Sequence, residues 1–492
     1  MEESEMSSKS TTKTVLWSFL EQGGSKVVSL FVQIALARLL SPEAFGIMAI
    51  LLVVTNIADA LAQGGLGSAL IQRSKSDNAT VSTAFWLSIA FALVLFFAIL
   101  LLAPILEGFY GMPGLGIYLS VLSLVVLFNS VNSIQRSILQ KAMDFKSLSV
   151  ITICSAVVSG IVGVTAAFAG LGVWALVGQS LAQSVATCIT MALKVSWRPT
   201  LIFRRQEARE LFSYGWKIAA TSILGVLYSG ISDLVIGRAC SATALGYYSQ
   251  GRKYPMAVIS MATNAIQNVM FPALALRQRD HDAFAQTMRR ALQAGTFVIA
   301  PLSLFCAAAA EPIVTILLTE KWLPCVPIFQ MVCISHSVLM LTSVNPRAYL
   351  ALGRSDLFLR IQVVKVLIGG IAICSVAVIT RDIYLTALAT CISTLFNTLV
   401  IDPLFAQSTT GYSAFHQIKD IFPTVLLAVG AAGAAYGISF LVNNHVLLLA
   451  VQALVFCVIY FVVARALKIE GMREALNAFR SLVSKRKDRA ER

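Results

Sequence analysis

Eight ionisable side chains lie inside stretches of sequence that are otherwise apolar, and their chemistry is the first question the sequence raises. They are five cations and three carboxylates: Lys26, Lys217, Arg252, Lys253, Lys365, Glu21, Asp59 and Asp233. Inside a membrane an ionisable residue costs about 2.5–3.5 kcal/mol on insertion scales, so each one is a functional hypothesis. The excess of cations favours an anionic ligand, because Arg and Lys donate charge-assisted hydrogen bonds to phosphate oxygens.

The composition indicates what surrounds these charges. The chain is 57% hydrophobic and 13% charged, with a mean hydropathy of +0.79, whereas a soluble domain carries about 25% charged residues. The apolar runs are continuous and long enough to cross a bilayer as helices. The nine cysteines occur singly, which argues against a disulfide framework or a zinc site. The sequence therefore predicts an all-α polytopic membrane protein.

Fourteen transmembrane spans are expected from apolar windows bounded by charges, Pro or Gly. Their approximate limits are 15–37, 44–64, 80–104, 114–135, 147–169, 171–193, 211–236, 244–272, 286–310, 324–346, 358–379, 383–406, 421–442 and 446–465. The polar residues 1–14 lack the apolar core of a cleaved signal peptide, so the first span is expected to remain.

The distribution of Lys and Arg predicts the orientation of these spans. With a cytoplasmic N-terminus, 29 cations lie in inner segments and four in outer segments, which predicts that both termini lie in the cytoplasm. Topology and anionic lipid then explain the net charge of +14 without nucleic-acid binding. The outer connections are too short to hold a catalytic domain, so no enzyme activity is expected. The basic tail, 466–492, is either an interfacial amphipathic helix or a solvated tail.

Two stretches of the chain are repeated. LARLLSPEAFG (36–46) returns 200 residues later as IGRACSATALG (236–246), with Arg38 matched by Arg238. NSIQRSIL returns as SVNPRAYL, with Arg136 matched by Arg347, 211 residues on. A parallel repeat of six helices is expected. The predicted organisation is an N-terminal tail (1–14), an N-lobe (15–193), a linker (194–210), a C-lobe (211–406), two further helices (421–465) and the basic tail (466–492).

The repeated stretch, followed by GGLGSALIQR, resembles the signature of polysaccharide flippases of the Wzx type. Further similar stretches are LGYYSQGRKYP with NVMFPAL, TEKWLPCVPIFQ, SVNPRAYLALGRSD and the lysine of QVVKVL. The similarity covers about residues 10–410. It is greatest to the branch that exports colanic acid and succinoglycan repeat units, within the superfamily that holds the lipid II flippase and the MATE antiporters.

This resemblance implies a two-lobe cavity that turns over an undecaprenyl-diphosphate-linked oligosaccharide by alternating access in the lipid bilayer of the bacterial inner membrane. Polysaccharide polymerase or export machinery is a further partner that it implies. Four cations are then expected to contact the diphosphate: Arg252, Lys26, Lys217 and Lys365. A structural pairing of Lys26 with Asp59 or Asp233 is the alternative. The lipid II flippase has cations on its first, second and eighth helices, whereas Asp59 is the one charge well inside the second span here.

The remaining charges have two interpretations each. Asp59 and Asp233 either bind a coupling Na⁺ or proton or are neutralised by Lys26 or Lys217; no other cofactor or metal is expected. Arg38, Arg238 and Glu43 are expected to stabilise the hairpins between successive spans or to act as a gate. Asn and Gln side chains within the spans, including Gln63, Asn129 and Asn132, either bind sugar hydroxyls or link helices.

Two other functions are alternatives to that of a flippase. A MATE-like antiporter of small cationic drugs is the alternative transporter, but its cleft should be acidic. A polysaccharide polymerase or ligase would need a sizeable outer loop with Arg or His, and the outer loops are small.

Overall fold

A computed structural model describes residues 24, 26–73, 77–275, 277 and 280–477 of the chain, and all regular elements in that part are helical. The first half contains α1 (26–39), α2 (Pro42–Gln63), α3 (Leu66–Gln72), α4 (Asn78–Tyr110), α5 (Leu115–Leu122), α6 (Leu124–Lys141), α7 (Phe145–Phe168), α8 (Val173–Lys194) and α9 (Arg205–Ala239). The second half contains α10 (Ala242–Ala275), α11 (His281–Ala308), α12 (Ala310–Leu318), a 3₁₀ turn (Glu320–Cys325), α13 (Val326–His336), α14 (Met340–Ala351), α15 (Ser355–Thr380), α16 (Ile383–Phe396), a π-helical turn (Asn397–Ile401), α17 (Asp402–Thr410), α18 (Ala414–Gly437), a 3₁₀ turn (Ile438–Phe440) and α19 (His445–Ala466).

Eleven helices of the described part are long and apolar enough to cross a membrane, or twelve when the pair Glu320–His336 and Met340–Ala351, bent by 46°, counts as one span. The predicted all-α membrane class is confirmed. The predicted number of fourteen is not confirmed: the first span lies partly outside the described residues, and α10, which carries Arg252 and Lys253, is not among the eleven.

Short polar side chains begin many of these helices. Asp77 accepts a hydrogen bond from the backbone N–H of Thr80 at 2.8 Å, and Asp144 accepts one from that of Ser147 at 3.0 Å. Such caps satisfy N–H groups that have no partner within the helix. They mark where each helix begins at the end of an apolar run.

The chain divides into two compact units, Met1–Gly246 and Tyr247–Arg492. The boundary between these units lies within α10, and α9 packs against α2, α3 and α4 of the first unit. The linker expected at 194–210 stays a prediction. The predicted duplication into six-helix lobes stays a prediction.

The repeated SPEAFG and SATALG motifs have the same local structure. The Ser41 and Ser241 hydroxyls accept hydrogen bonds from the N–H groups of Ala44 and Ala244, so each serine caps a helix. Within the first unit, a Cβ on Gly46 would overlap the carbonyl oxygen of Ala242, and one on Gly246 would overlap that of Pro42. The two glycines are repeated because the two helix starts touch through their backbones, where a side chain has no room.

The last two spans pack on the second unit. Phe297 of α11, Ala428 of α18 and Tyr460 of α19 share one buried cluster, and the Tyr460 hydroxyl donates to the carbonyl oxygen of Phe297 at 2.9 Å. Ile469 joins this cluster, so the start of the basic tail (466–492) packs against the second unit. Residues 478–492 of this tail lie outside the described residues.

Candidate functional site

The first unit encloses a polar cavity of about 600 Å³ between α2, α3, α6, α7, α8 and α9. Most of its lining groups are amides and hydroxyls: Gln63, Ser68, Asn129, Asn132, Ser133, Ser137, Gln140, Thr152, Gln183, Ser184, Thr187 and Ser222. Among the described lining residues, Arg136 is the one charged side chain. A volume of this size is typical of sites for small ligands.

Helix α6 supplies the central wall of the cavity. Its lining residues are Asn129, Asn132, Ser133, Arg136, Ser137 and Gln140, which are spaced three or four apart or adjacent. Because a helix turns once in 3.6 residues, this spacing forms a polar stripe on one face. The other face carries Ile134, which is buried, and Val131 and Ile138, which pack against the same apolar cluster. One amphipathic helix thus separates the core from the cavity.

Hydrogen bonds hold the inner end of this stripe in place. The Asn129 amide donates to Asp59 Oδ2 at 2.7 Å, and its Oδ1 accepts from the Ser184 hydroxyl at 3.0 Å. The Asn132 amide donates to the Ser184 carbonyl oxygen at 3.1 Å. Asp59 therefore fixes the orientation of an amide that lines the cavity, by way of a single bond from α2 to α6. The described bonds do not test the prediction that Asp59 binds a coupling ion.

Arg136 is the exposed residue of this stripe. Further along α6, Lys141 belongs to a group of charges at the C-terminal end of α3. Lys141 donates to the carbonyl oxygens of Leu70 at 3.2 Å and Arg73 at 2.7 Å, where a cation also offsets the negative end of the helix dipole. Arg73 in turn pairs with Glu207 and, at 2.6 Å, with Glu210 of α9. Lys141 and Arg73 therefore join the end of α3 to α6 and α9. Arg136 alone presents a positive side chain to the described cavity lining.

The chemistry of the cavity suits a hydroxyl-rich ligand. Asn and Gln side chains both donate and accept hydrogen bonds, as sugar hydroxyls do, and Ser and Thr add further donors and acceptors. A guanidinium can hold phosphate or carboxylate through two parallel bonds. The lining does not suit a cationic drug, since its one charged group would repel it.

The four cations expected to contact a diphosphate are placed in different surroundings. Lys26 is exposed on α1, and the side chain of Lys217 lies outside the described part of α9. Arg252 is half-buried on α10, with its Cζ 5.5 Å from the centre of the Tyr248 ring, while its neighbour Lys253 is exposed. These contacts leave phosphate binding by Lys26, Lys217 and Arg252 a prediction.

Lys365 differs from the other three. It is buried in the second unit and forms an ion pair with Asp402, a residue that the sequence analysis did not count among the intramembrane carboxylates. A lysine whose charge is already satisfied by a buried carboxylate does not offer that charge to a diphosphate. The expectation for Lys365 is therefore revised.

The structure places most of the remaining predicted residues, and their roles stay predictions. Asp233 is buried on α9, and Glu21 lies outside the described residues. Arg38 and Glu43 are exposed on either side of the turn between α1 and α2. The Arg238 guanidinium lies 5.2 Å from the centre of the Phe109 ring, a cation–π contact at the end of α9. Their role as a gate stays a prediction.

The expected span 114–135 ends just before Arg136, so the sequence did not connect Arg136 with the polar residues that precede it. The signal was present in the spacing from Asn129 to Gln140, which repeats at three and four residues. The polar groups on α8, including Gln183 and Thr187, could not be found in this way, because only the packing of α6 on α8 brings them to the same cavity.

Comparison with known proteins identifies the family. A family model described as polysaccharide biosynthesis protein matches residues 35–327. The succinoglycan biosynthesis transport protein ExoT of Rhizobium meliloti (strain 1021) is 24% identical over 334 residues, 68% of each chain. The lipopolysaccharide biosynthesis protein WzxC of Escherichia coli (strain K12) is 28% identical over 351 residues, 68% of this chain and 70% of WzxC. The predicted resemblance is confirmed.

Solved structures show a shared fold. The lipid II flippase MurJ in an inward closed conformation has a TM-score of 0.74 at 14% identity, covering 92% of this chain and 99% of MurJ. An inward-facing multidrug resistance MATE family transporter of the MOP superfamily has a TM-score of 0.64 at 14% identity. The match covers 80% of this chain and 96% of the transporter. Because the family model spans more than half of the 492 residues, this multi-pass helical membrane protein belongs to the polysaccharide biosynthesis protein family.

Proposed function

We propose that this protein is a flippase that moves undecaprenyl-diphosphate-linked oligosaccharide repeat units across the bacterial inner membrane. The observation that carries the proposal is the polar cavity of the first unit, lined by amides and hydroxyls around Arg136. The names of the relatives support it, since ExoT is a succinoglycan transport protein and WzxC a lipopolysaccharide biosynthesis protein.

In this proposal the first-unit cavity receives the saccharide. The amide and hydroxyl groups of α6 and α8 hydrogen-bond the sugar, and Arg136 binds an anionic group of the lipid-linked substrate. The exposed apolar faces of the helices lie in lipid, where the polyprenyl chain stays during transport. No bond of the substrate is made or broken, and both termini lie in the cytoplasm, as the distribution of Lys and Arg predicts.

Arg136→Ala tests the role of the cavity. Charge-assisted hydrogen bonds contribute about 1.5–3 kcal/mol, so export should fall by about tenfold or more at unchanged protein abundance. The measurement is the amount of repeat unit exposed at the periplasmic face of cells that depend on this protein. Repeat units should accumulate on the cytoplasmic leaflet instead.

Arg354→Ala is the matched control. Arg354 is also exposed and forms an ion pair with Asp356 at 3.2 Å, but it does not line the cavity. Export should stay near the level of the unaltered protein. Normal export by the Arg136 variant would remove this cavity from the transport route, and normal periplasmic exposure in cells without the protein would contradict the flippase function altogether.

A further inference from the structure

The second unit contains a buried ion pair between two of its membrane-spanning segments. The Lys365 ammonium on α15 contacts Asp402 Oδ1, and the side chains of the two residues are 5% and 0% exposed. Thr342 of α14 donates to Asp402 Oδ2 at 2.7 Å and lies 2.9 Å from the Thr398 hydroxyl. The Tyr349 hydroxyl donates to the Asp402 carbonyl oxygen at 3.1 Å. Both charges are thus out of contact with water.

Stability alone does not explain such a pair. Removing two charges from water is costly, and apolar residues of similar volume are often as stabilising as a buried ion pair. Ionisable residues inside a membrane are instead typical of ion and proton pathways. The question is therefore whether anything in the fold allows this pair to separate.

The backbone at Asp402 has the irregularity that separation requires. The N–H of Asp402 donates to the carbonyl oxygen of Asn397, five residues earlier, so a π-helical turn (Asn397–Ile401) precedes the carboxylate. Pro403 follows and has no N–H to donate. A π-helical turn holds one residue more than an α-helical turn, and such turns are frequent at functional sites.

A change of this turn to α-helical hydrogen bonding would move Asp402. A shift of register by one residue rotates a side chain by about 100° round the helix axis. Because Lys365 lies on a different helix, α15, the rotation would carry the carboxylate away from the ammonium. The ion pair fits the π-helical state of the turn, and an α-helical state would separate it.

We infer that Lys365 and Asp402 form a proton-exchange site that is opened and closed by the π-helical turn during transport. In the closed state the ammonium neutralises the carboxylate. When the turn rotates, a hydronium ion gives its proton to the isolated carboxylate. One O–H bond of the hydronium breaks, an O–H bond forms on Asp402, and a water molecule is left. When the pair forms again, that O–H bond breaks and the proton leaves, while Lys365 keeps its own protons throughout. One proton is bound and released in each cycle.

The groups around Asp402 favour a proton over a metal cation. Among the described residues, the titratable groups that face it are Lys365 from α15 and Tyr349 from α14, while Thr342 and Thr398 do not titrate. The ammonium already occupies the carboxylate oxygen at which a sodium ion would bind. The inference rests on the proposed transport function for its biological meaning, but the site itself can be tested separately.

The first experiment measures the turn without any transport. Nitroxide labels are attached through a non-natural keto amino acid at Leu367 of α15 and Leu404 of α17, both exposed, so that the nine native cysteines stay in place. Double electron–electron resonance on the full chain in nanodiscs should give two distances whose proportions change with pH. In the double variant Lys365→Met with Asp402→Asn the proportions should not change with pH. A distance distribution of the unaltered pair that does not depend on pH would overturn the inference.

The second experiment measures coupling in proteoliposomes, with undecaprenyl diphosphate carrying one hexose as the probe. A gradient of one pH unit is a tenfold ratio of protons, so it should change the rate of the unaltered protein by up to about tenfold. The double variant should keep the melting temperature near that of the unaltered protein, because no charge is left unpaired, but lose the response to the gradient. A double variant that responds like the unaltered protein would show that the pair is only structural.

The two experiments separate the two proposals. If the unaltered protein does not move the probe but shows the pH-dependent distances, the proposed function fails and the proton site stands. If it moves the probe at a rate that the gradient does not change, the proton site fails and the proposed function stands.

Discussion

Helices α6 and α14 occupy matching places in the sequence repeat, yet one lines a cavity and the other is packed solid. At an offset of 211 residues, Asn129, Ser133, Ser137 and Gln140 of α6 correspond to Met340, Val344, Ala348 and Ala351 of α14. The first four line the polar cavity. The second four are buried in the main apolar cluster of the second unit. Arg136 and Arg347 are the conserved pair of the two stretches, but Arg347 is half-buried and donates to Gln267 Oε1 at 3.2 Å.

The difference shows that matching helices of a repeat can line a cavity in one unit and pack in a core in the other. The polar stripe of α6 needs the open space beside it, because amides and hydroxyls without water or ligand would be costly to bury. The apolar stripe of α14 fills the corresponding space with side chains. The second unit also buries a pair of opposite charges, Lys365 and Asp402, which contact each other.

The comparison is tested most severely by exchanging matched residues. Val344→Ser should destabilise the second unit by about 2–4 kcal/mol, because it removes buried methyl groups and buries a hydroxyl in the apolar cluster. Val344 is fully buried, and no cavity can take up the change. A lower melting temperature of the purified protein in detergent is the expected measurement.

Ser133→Val is the reciprocal change in the first unit. Ser133 lines the cavity, so the added methyl groups have room. The free energy of unfolding should therefore change by less than about 0.5 kcal/mol, with a correspondingly small change in melting temperature. Transport should fall, since a hydroxyl is lost from the lining. Equal melting temperatures for the two variants would mean that the two helices do not differ in packing.

Two glycines, one beside the core around α14 and one beside the cavity, test the same comparison with a smaller expected loss of stability. A Cβ on Gly295 of α11 would overlap the end of the Met340 side chain, which is held in the core, whereas one on Gly67 of α3 would lie 2.5 Å from the Ser137 hydroxyl. Gly295→Ala should cost about 1–3 kcal/mol, as expected for overpacking. Gly67→Ala should cost less, because Ser137 can rotate toward the open cavity. Thermal unfolding would measure both, and a costlier Gly67 variant would contradict the assignment of the open side.

The smallest expected effect concerns the start of α7, which also lines the cavity. Hydrogen bonds from the Ser147 side chain and backbone N–H hold the pKa of Asp144 below its ordinary value of 3.8. The carboxylate therefore stabilises the fold fully above pH 3.8, and this stabilisation is lost as the pH falls through the lower folded pKa. Asp144→Ala should cost at most about 1 kcal/mol at pH 7 and less at pH 3.

Asp144→Asn is the matched control for this cap. Its amide oxygen can still accept the Ser147 hydrogen bond, so most of the stability should remain, without the dependence on pH. Thermal unfolding at pH 7 and pH 3 measures both variants. A loss of stability in Asp144→Ala that is equal at the two pH values would show that the charge of the carboxylate plays no part.

The class of fold was predictable because the bilayer imposes it. Within the described residues each expected span overlaps a helix, from α1 through α19, since a continuous apolar run can satisfy its backbone in lipid only as a helix. The division into units was not predictable. It depends on α9 packing against α2 and α3, a contact between residues far apart in the chain.

The candidate site was predictable only in part. Asn129 and Asn132 were named as polar span residues, and their spacing with Arg136 marks one face of α6. Whether that face meets an open space or a packed core depends on the opposite wall. The contrast with Met340 and Val344 shows that both outcomes occur at matching positions of one chain.

By itself the sequence determined that this protein is helical, spans a membrane and resembles the polysaccharide flippases, because the length of apolar runs and short motifs are local properties. Tertiary structure decided what surrounds each charge. The ammonium of Lys365 contacts Asp402, 37 residues further on, whereas Arg136 lines the polar cavity. The physical reason is that the state of an ionisable side chain is set by what lies within a few ångströms of it, and only folding brings those partners together.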